Sequence, residues 1–188
     1  MKTRLLSGLL LASAFLWSAG VAASGTAPSG PEAQTDAAIA NRVQHEIRMY
    51  PYYGIWDDVQ FQVANGHVSL TGAVTQPYKK DAIGSRVQQV AGVTSLTNQL
   101  EVLPLSPMDD GLRLRLARAI YSDPVLSRYA MQAVPPIHII VDNGHVTLNG
   151  VVRTSMEKEV AGLRAASAGL SFGPITNNLR VEMPAKKS

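Results

Sequence analysis

Apolar and polar residues alternate with period two along Val59–Val63 and again along Val68–Leu70, and the two runs meet at Asn65-Gly66. An Asn-Gly pair between alternating runs predicts a two-residue hairpin turn, because both turn residues need positive φ. Folding the chain there sets Val63 opposite Val68, Phe61 opposite Leu70 and Val59 opposite Gly72 on one apolar face. Ala64 with His67, Gln62 with Ser69 and Gln60 with Thr71 make a second, mostly polar face. The pattern V-x-N-G-H-V-x-L-x-G-x-V of residues 63–74 returns at residues 141–152. There Val141 faces Val146, Ile139 faces Leu148 and Ile137 faces Gly150. Each hairpin is expected to be covered on one side only.

Before each hairpin the period becomes helical. Ile39, Val43 and Ile47 share one helix face, as do Leu112, Leu116, Ala119 and Ile120. Asp36 is the expected cap of the first helix, Asp109 or Asp110 that of the second, and Pro51 and Pro124 follow the helix ends. After the first hairpin, Thr75-Gln76-Pro77 opens a helix with Ile83, Val87 and Val90 on its apolar stripe, stopped by Gly92. After the second, the capping-box pattern Thr154-x-x-Glu157 opens a helix through Ala168. Leu96, Leu100 and Val102, and later Ile175, Leu179 and Val181, alternate as a third half-buried strand. The fold class is therefore α+β: two tandem αββαβ units over 36–102 and 109–182, each a three-stranded sheet with two helices packed on one face. Residues 103–108 form a stiff, proline-containing linker. The small, Pro/Gly-rich stretch 24–35 reads as a flexible leader and 183–188 as a tail.

Lys2 and Arg4 precede a short apolar run, Leu5–Trp17, and Val21-Ala22-Ala23 supplies small residues before Ser24. That is the pattern of a secretory signal peptide over 1–23. No later run approaches the ~20 apolar residues that a spanning helix needs. The chain contains no cysteine, which excludes disulfides, thiolate metal sites and a lipidated cysteine. A soluble periplasmic protein, peripheral to any membrane it meets, is the expectation. The formal net charge is +3, and Lys2, Arg4, Lys186 and Lys187 all lie outside the two units. The units lack the dense basic face that nucleic acid requires, and only a local basic patch is left open.

With its twin hairpins, the closing Ala91-Gly92-Val93…Leu96-x-Asn98-x-Leu100-x-Val102 and the order of elements, the chain resembles the BON domain family of bacterial envelope proteins. The second copy departs at Gly169-Leu170…Gly173-Pro174, where the first has Gly92-Val93. The resemblance implies a sheet backed by two helices, no catalytic residues and no cofactor, and binding to phospholipid or envelope components. It also implies likeness to tandem members that act in osmotic stress and outer-membrane integrity.

Several residues invite a role. Tyr50–Trp56 gathers Tyr52, Tyr53 and Trp56; such side chains suit a bilayer interface or protein contact, and equally a plug for the open end of the core. Arg113, Arg115 and Arg118, beside an exposed Leu114, form either a solvated face or a surface for anionic headgroups. Lys79, Lys80 and Arg86 form a weaker basic set. Gly72 and Gly150, mid-strand, imply a helix passing close to the backbone or a bend in the strand. Asn98 and Asn177 should face inward and tie the preceding loop to the sheet. Asn65, Gly66, Asn143 and Gly144 are turn residues. His67 and His145 fall on the polar face without the second ligand that a metal site needs. Asp57-Asp58 is an adjacent pair whose side chains point apart in a strand. No nucleophile–base set or phosphate loop is present. The expected function is a non-enzymatic module that docks on anionic phospholipid or an envelope protein. The alternative is a structural protein that assembles through its sheet faces or edges.

Overall fold

The computed structural model describes residues 31–169 and 173–182. The stretch read as a signal peptide, residues 24–30 of the stretch read as a leader and residues 183–188 read as a tail lie outside the described residues, as do Leu170–Phe172 of the second closing turn. Helix α1 (Pro31–Arg48) leads to the hairpin β1 (Asp58–Ala64) and β2 (His67–Val74), then to helix α2 (Pro77–Gln88). A third strand follows in two pieces, β3 (Ser95–Asn98) and β4 (Glu101–Val102). The order starts again with α3 (Pro107–Tyr121), a short α4 (Ser127–Ala130), β5 (Ile137–Asp142) and β6 (His145–Val152). It ends with α5 (Ser155–Ser167), β7 (Thr176–Asn177) and β8 (Arg180–Val181).

In each unit the second hairpin strand is central, antiparallel to the first and parallel to the third. Both hairpins adopt the register that the alternation predicts, from Val63 opposite Val68 and Val141 opposite Val146 outward. Asn65 and Gly66 sit at φ 52° and 75°, and Asn143 and Gly144 at 48° and 78°, as a type I′ turn demands. Ile39, Val43 and Ile47 of α1 and Ile83 and Val87 of α2 close over Val68, Leu70 and Val74. Leu112, Leu116 and Ile120 do the same over Val146, Leu148 and Val152.

The structure departs from the sequence reading at several points. Helix α1 begins at Pro31, inside the stretch read as leader, so Asp36 is not its cap. The Asp36 carboxylate instead accepts the Asn65 and Gly66 amides at 2.7 and 2.9 Å. Asp109 repeats this on Asn143 and Gly144 at 3.0 and 2.9 Å, while Ser106 caps α3 through the Asp109 amide. Each unit thus ties its first helix to its hairpin turn by one carboxylate on two adjacent N–H groups. Pro107 and Met108, read as linker, belong to α3.

The third strand is broken because Asn98 turns back on it. Its carboxamide donates to the Lys80 carbonyl on α2 and accepts the Leu100 amide, and Asn177 does the same with Lys158 and Leu179. The room comes from Gly84 and Gly162, where a β-carbon would stand 2.6 and 2.9 Å from those amide nitrogens. Gly72 and Gly150, at φ 111° and 122°, answer the backbone of the paired strand rather than a helix. A β-carbon there would strike the Asp58 and Pro136 carbonyls.

Candidate contact surfaces

The aromatic loop is fixed from below by Asp57, which is fully buried. Its carboxylate accepts the Gly54 amide, the Thr75 amide and hydroxyl, and Lys79 Nζ at 2.7 Å. Lys79 is therefore buried in a pair and is not part of a basic surface. Asp58 points elsewhere and accepts Gln60 Nε2 and Asn149 Nδ2, the latter across the two units at 2.7 Å.

That anchoring turns the loop toward the second unit. The Ile55 carbonyl accepts the Ile139 amide of β5 at 2.7 Å, and Trp56 packs against the second unit's core. The plug anticipated from the sequence exists, but the core it closes belongs to the other half of the chain. Tyr53 stacks at a tilt on His138, with ring centroids 5.4 Å apart. The outer face of β5 is consequently covered at His138 and Ile140, both buried, whereas the expectation was a hairpin with one open side; on β6 the same face stays open at His145 and half-buried at Thr147 and Asn149. Trp56 and Tyr53 are interface residues between the units. Tyr52 alone of the three is strongly exposed, at 64 %, edge-on to Tyr50 and Tyr78.

Burial shapes the titration of this interface. Desolvation raises the Tyr53 hydroxyl far above its ordinary range, and the Asp58 charge adds to it. Desolvation lowers His138 below its usual 6.5, against the opposing pull of Asp58 and Asp57, and its Nδ1 is buried without a hydrogen-bond partner among the described residues. Since the folded value lies below 6.5, the neutral ring's contribution is complete above that pH and is lost as pH falls through the folded value. Acidification is expected to loosen the contact between the units, seen as a change in Trp56 fluorescence. His138→Phe should remove that acid-side change; its persistence in the variant would assign the transition to another group.

The arginines of α3 separate. Arg113 turns inward, 6 % exposed, and donates to the Val141 carbonyl and to Asp110, each at 2.6 Å; it leaves the proposed contact set. Arg115 and Arg118 are exposed, both to the same side of the exposed Leu114 on the helix surface, and neither has an ion pair among the described residues. Arg86 reaches Glu46 and the Tyr50 ring. His67 is held by the Ser95, Ser69 and Thr97 hydroxyls. Among the described residues no His/Cys/Asp/Glu group is placed to hold a metal, and no helix is long and apolar enough to cross a membrane.

Sequence reasoning missed the Asp36 and Asp109 latches, although the signal was present: an aspartate in register with each Asn-Gly turn. It also missed Glu157, which beyond its capping box receives the Tyr129 hydroxyl and the Arg153 amide.

Two solved structures of CdsD, a structural protein of the type III secretion system of Chlamydia trachomatis, are 14 % identical over 77 % of this chain, with TM-scores of 0.31 and 0.27. This chain covers 61 % of the first of those chains and 96 % of the second, its C-terminal domain. Scores that low carry no argument about fold or partners. No curated protein matches. The family model of the BON domain matches twice, at residues 35–104 and 110–183; the chain belongs to the BON domain family, with two domains in tandem.

Proposed function

We propose that this chain is a non-enzymatic module of the periplasm that docks peripherally on anionic phospholipid through the outer face of α3. The observation that carries the reading is Leu114, 53 % exposed, with the exposed Arg115 and Arg118 beside it. The nearby acid Asp110 is held by Arg113, which leaves the face positive. An apolar side chain beside two cations that have no ion pair among the described residues suits the boundary of headgroups and acyl chains. Tyr52 and Tyr78, exposed and edge-to-face with one another on the first unit, offer a second set of side chains of the interfacial kind.

The test is flotation of the mature chain with zwitterionic and with anionic vesicles at low and moderate salt. Salt-sensitive flotation with anionic vesicles is expected. Each basic residue near such a surface contributes about 1 kcal/mol, so Arg115→Glu with Arg118→Glu should weaken binding by about tenfold or more. Unchanged flotation of that variant would remove α3 as the surface. No flotation of the parent chain would point to an envelope protein as the partner instead.

A further inference from the structure

β1 and β5 are the edge strands of their sheets and share one register with their partners, so equivalent residues turn equivalent backbone groups outward. On β5 those groups are occupied. Tyr121 Oη donates to the Ile137 carbonyl, the Ile139 amide donates to Ile55, and Arg113 Nη2 donates to the Val141 carbonyl. The repeat makes Phe61 the counterpart of Ile139 and Val63 that of Val141. On β1 the outward Phe61 amide and Val63 carbonyl have no hydrogen-bond partner among the described residues. The cause is local. Where α3 carries Arg113, α1 carries Ala40, too short to reach the strand, and the second unit's Val134–Pro136 loop lines the groove beside this edge without a hydrogen bond to Phe61 or Val63 among the described residues.

Beside the open edge lies a groove of about 870 Å³, walled by Ala40 and Gln44 of α1 on one side and by Pro135 and Arg180 of the second unit on another. Arg48 and Arg180 are exposed on it and have no ion pair among the described residues. The acid that lines it, Asp58, is buried and already held by Gln60 and Asn149.

We propose that the β1 edge binds an extended acidic peptide segment by strand addition. Backbone groups of the segment pair with Phe61 and Val63, and its carboxylates meet Arg48 and Arg180. Walls from both units leave a slot for one extended chain, whereas the edge of a second folded copy would bring its helices with it. The second unit already takes the Ile55 backbone on the equivalent edge in this way. The site is separate from the α3 face and does not depend on it.

The probe is a fluorescein-labelled, end-capped peptide of alternating valine and glutamate, titrated into the full mature chain by anisotropy, with amide exchange recorded in parallel. Saturable binding is expected, with slowed exchange of the Phe61 amide. Ala40→Arg restores the plug found in the second unit and should weaken binding by about tenfold or more, while thermal melting confirms that the variant is folded. Arg48→Glu with Arg180→Glu should weaken it as well. Methylating alternate peptide nitrogens should abolish binding. Absence of binding, or binding that survives both Ala40→Arg and N-methylation, overturns the proposal. A concentration-dependent doubling of mass abolished by Ala40→Arg also overturns it, giving the edge to a second copy.

Discussion

Asp57→Ala is expected to lower the unfolding free energy by about 3–5 kcal/mol, the range for removing one partner of a buried ion pair. The carboxylate is fully buried and Lys79 nearly so. Truncation would leave the ammonium, 2.7 Å from Asp57 in the parent chain, with the Thr75 hydroxyl as its hydrogen-bond acceptor. The Thr75 and Gly54 amides would lose their acceptor at the same time, and an unmade bond to a buried donor costs about 1–3 kcal/mol. Urea unfolding should show a lower midpoint with little change in slope. Adding Lys79→Met to the alanine variant should recover part of the loss, because the stranded charge goes with it. A loss within the ~0.5 kcal/mol typical of surface substitutions would show that the pair contributes nothing net.

The second unit shows why such a pair is hard to anticipate. By the register of the repeat, Lys79 corresponds to Glu157, a residue of opposite charge that is also buried. Glu157 is satisfied by the Tyr129 hydroxyl, the Arg153 and Thr154 amides and Arg128. Hairpins, turns and core faces could be read from the chain because they rest on local rules: period two, Asn-Gly, period 3.6. The pairs from Ala64–His67 to Val59–Gly72 are found as expected. The break in the third strand could not be read, because Leu96, Leu100 and Val102 keep alternating through it while the Asn98 side chain decides where pairing stops. Arg113 stands at the margin of the helical stripe, and only the outward Val141 carbonyl settles which way it turns. Likewise α4, which places Leu126 and Tyr129 in the core, arose from residues visible only as a longer connection. What escaped the sequence was contact between segments distant along the chain.

Trp56 is the sharpest instance, and its removal should be felt mainly in the half of the chain to which it does not belong. Its ring is partly buried and packs against the cluster built by Leu116, Ile139 and Leu148. Buried Trp→Ala changes cost about 3–5 kcal/mol, and partial burial puts Trp56→Ala near the lower end, about 3 kcal/mol. The cavity would open beside the Ile55–Ile139 bond, the backbone link between the first unit's loop and the β5 edge. The Ile139 amide should therefore exchange markedly faster, while amides of β2, shielded by the first unit's own core, keep their protection. Trp56→Phe retains an aromatic plug and should recover most of the stability. Such a result would show that a loop of the first domain stabilises the sheet of the second. Equal loss of protection in β2 and β5 would instead mean that the two domains open as one cooperative unit. Unchanged exchange at Ile139 would mean that the loop is not what closes the β5 edge.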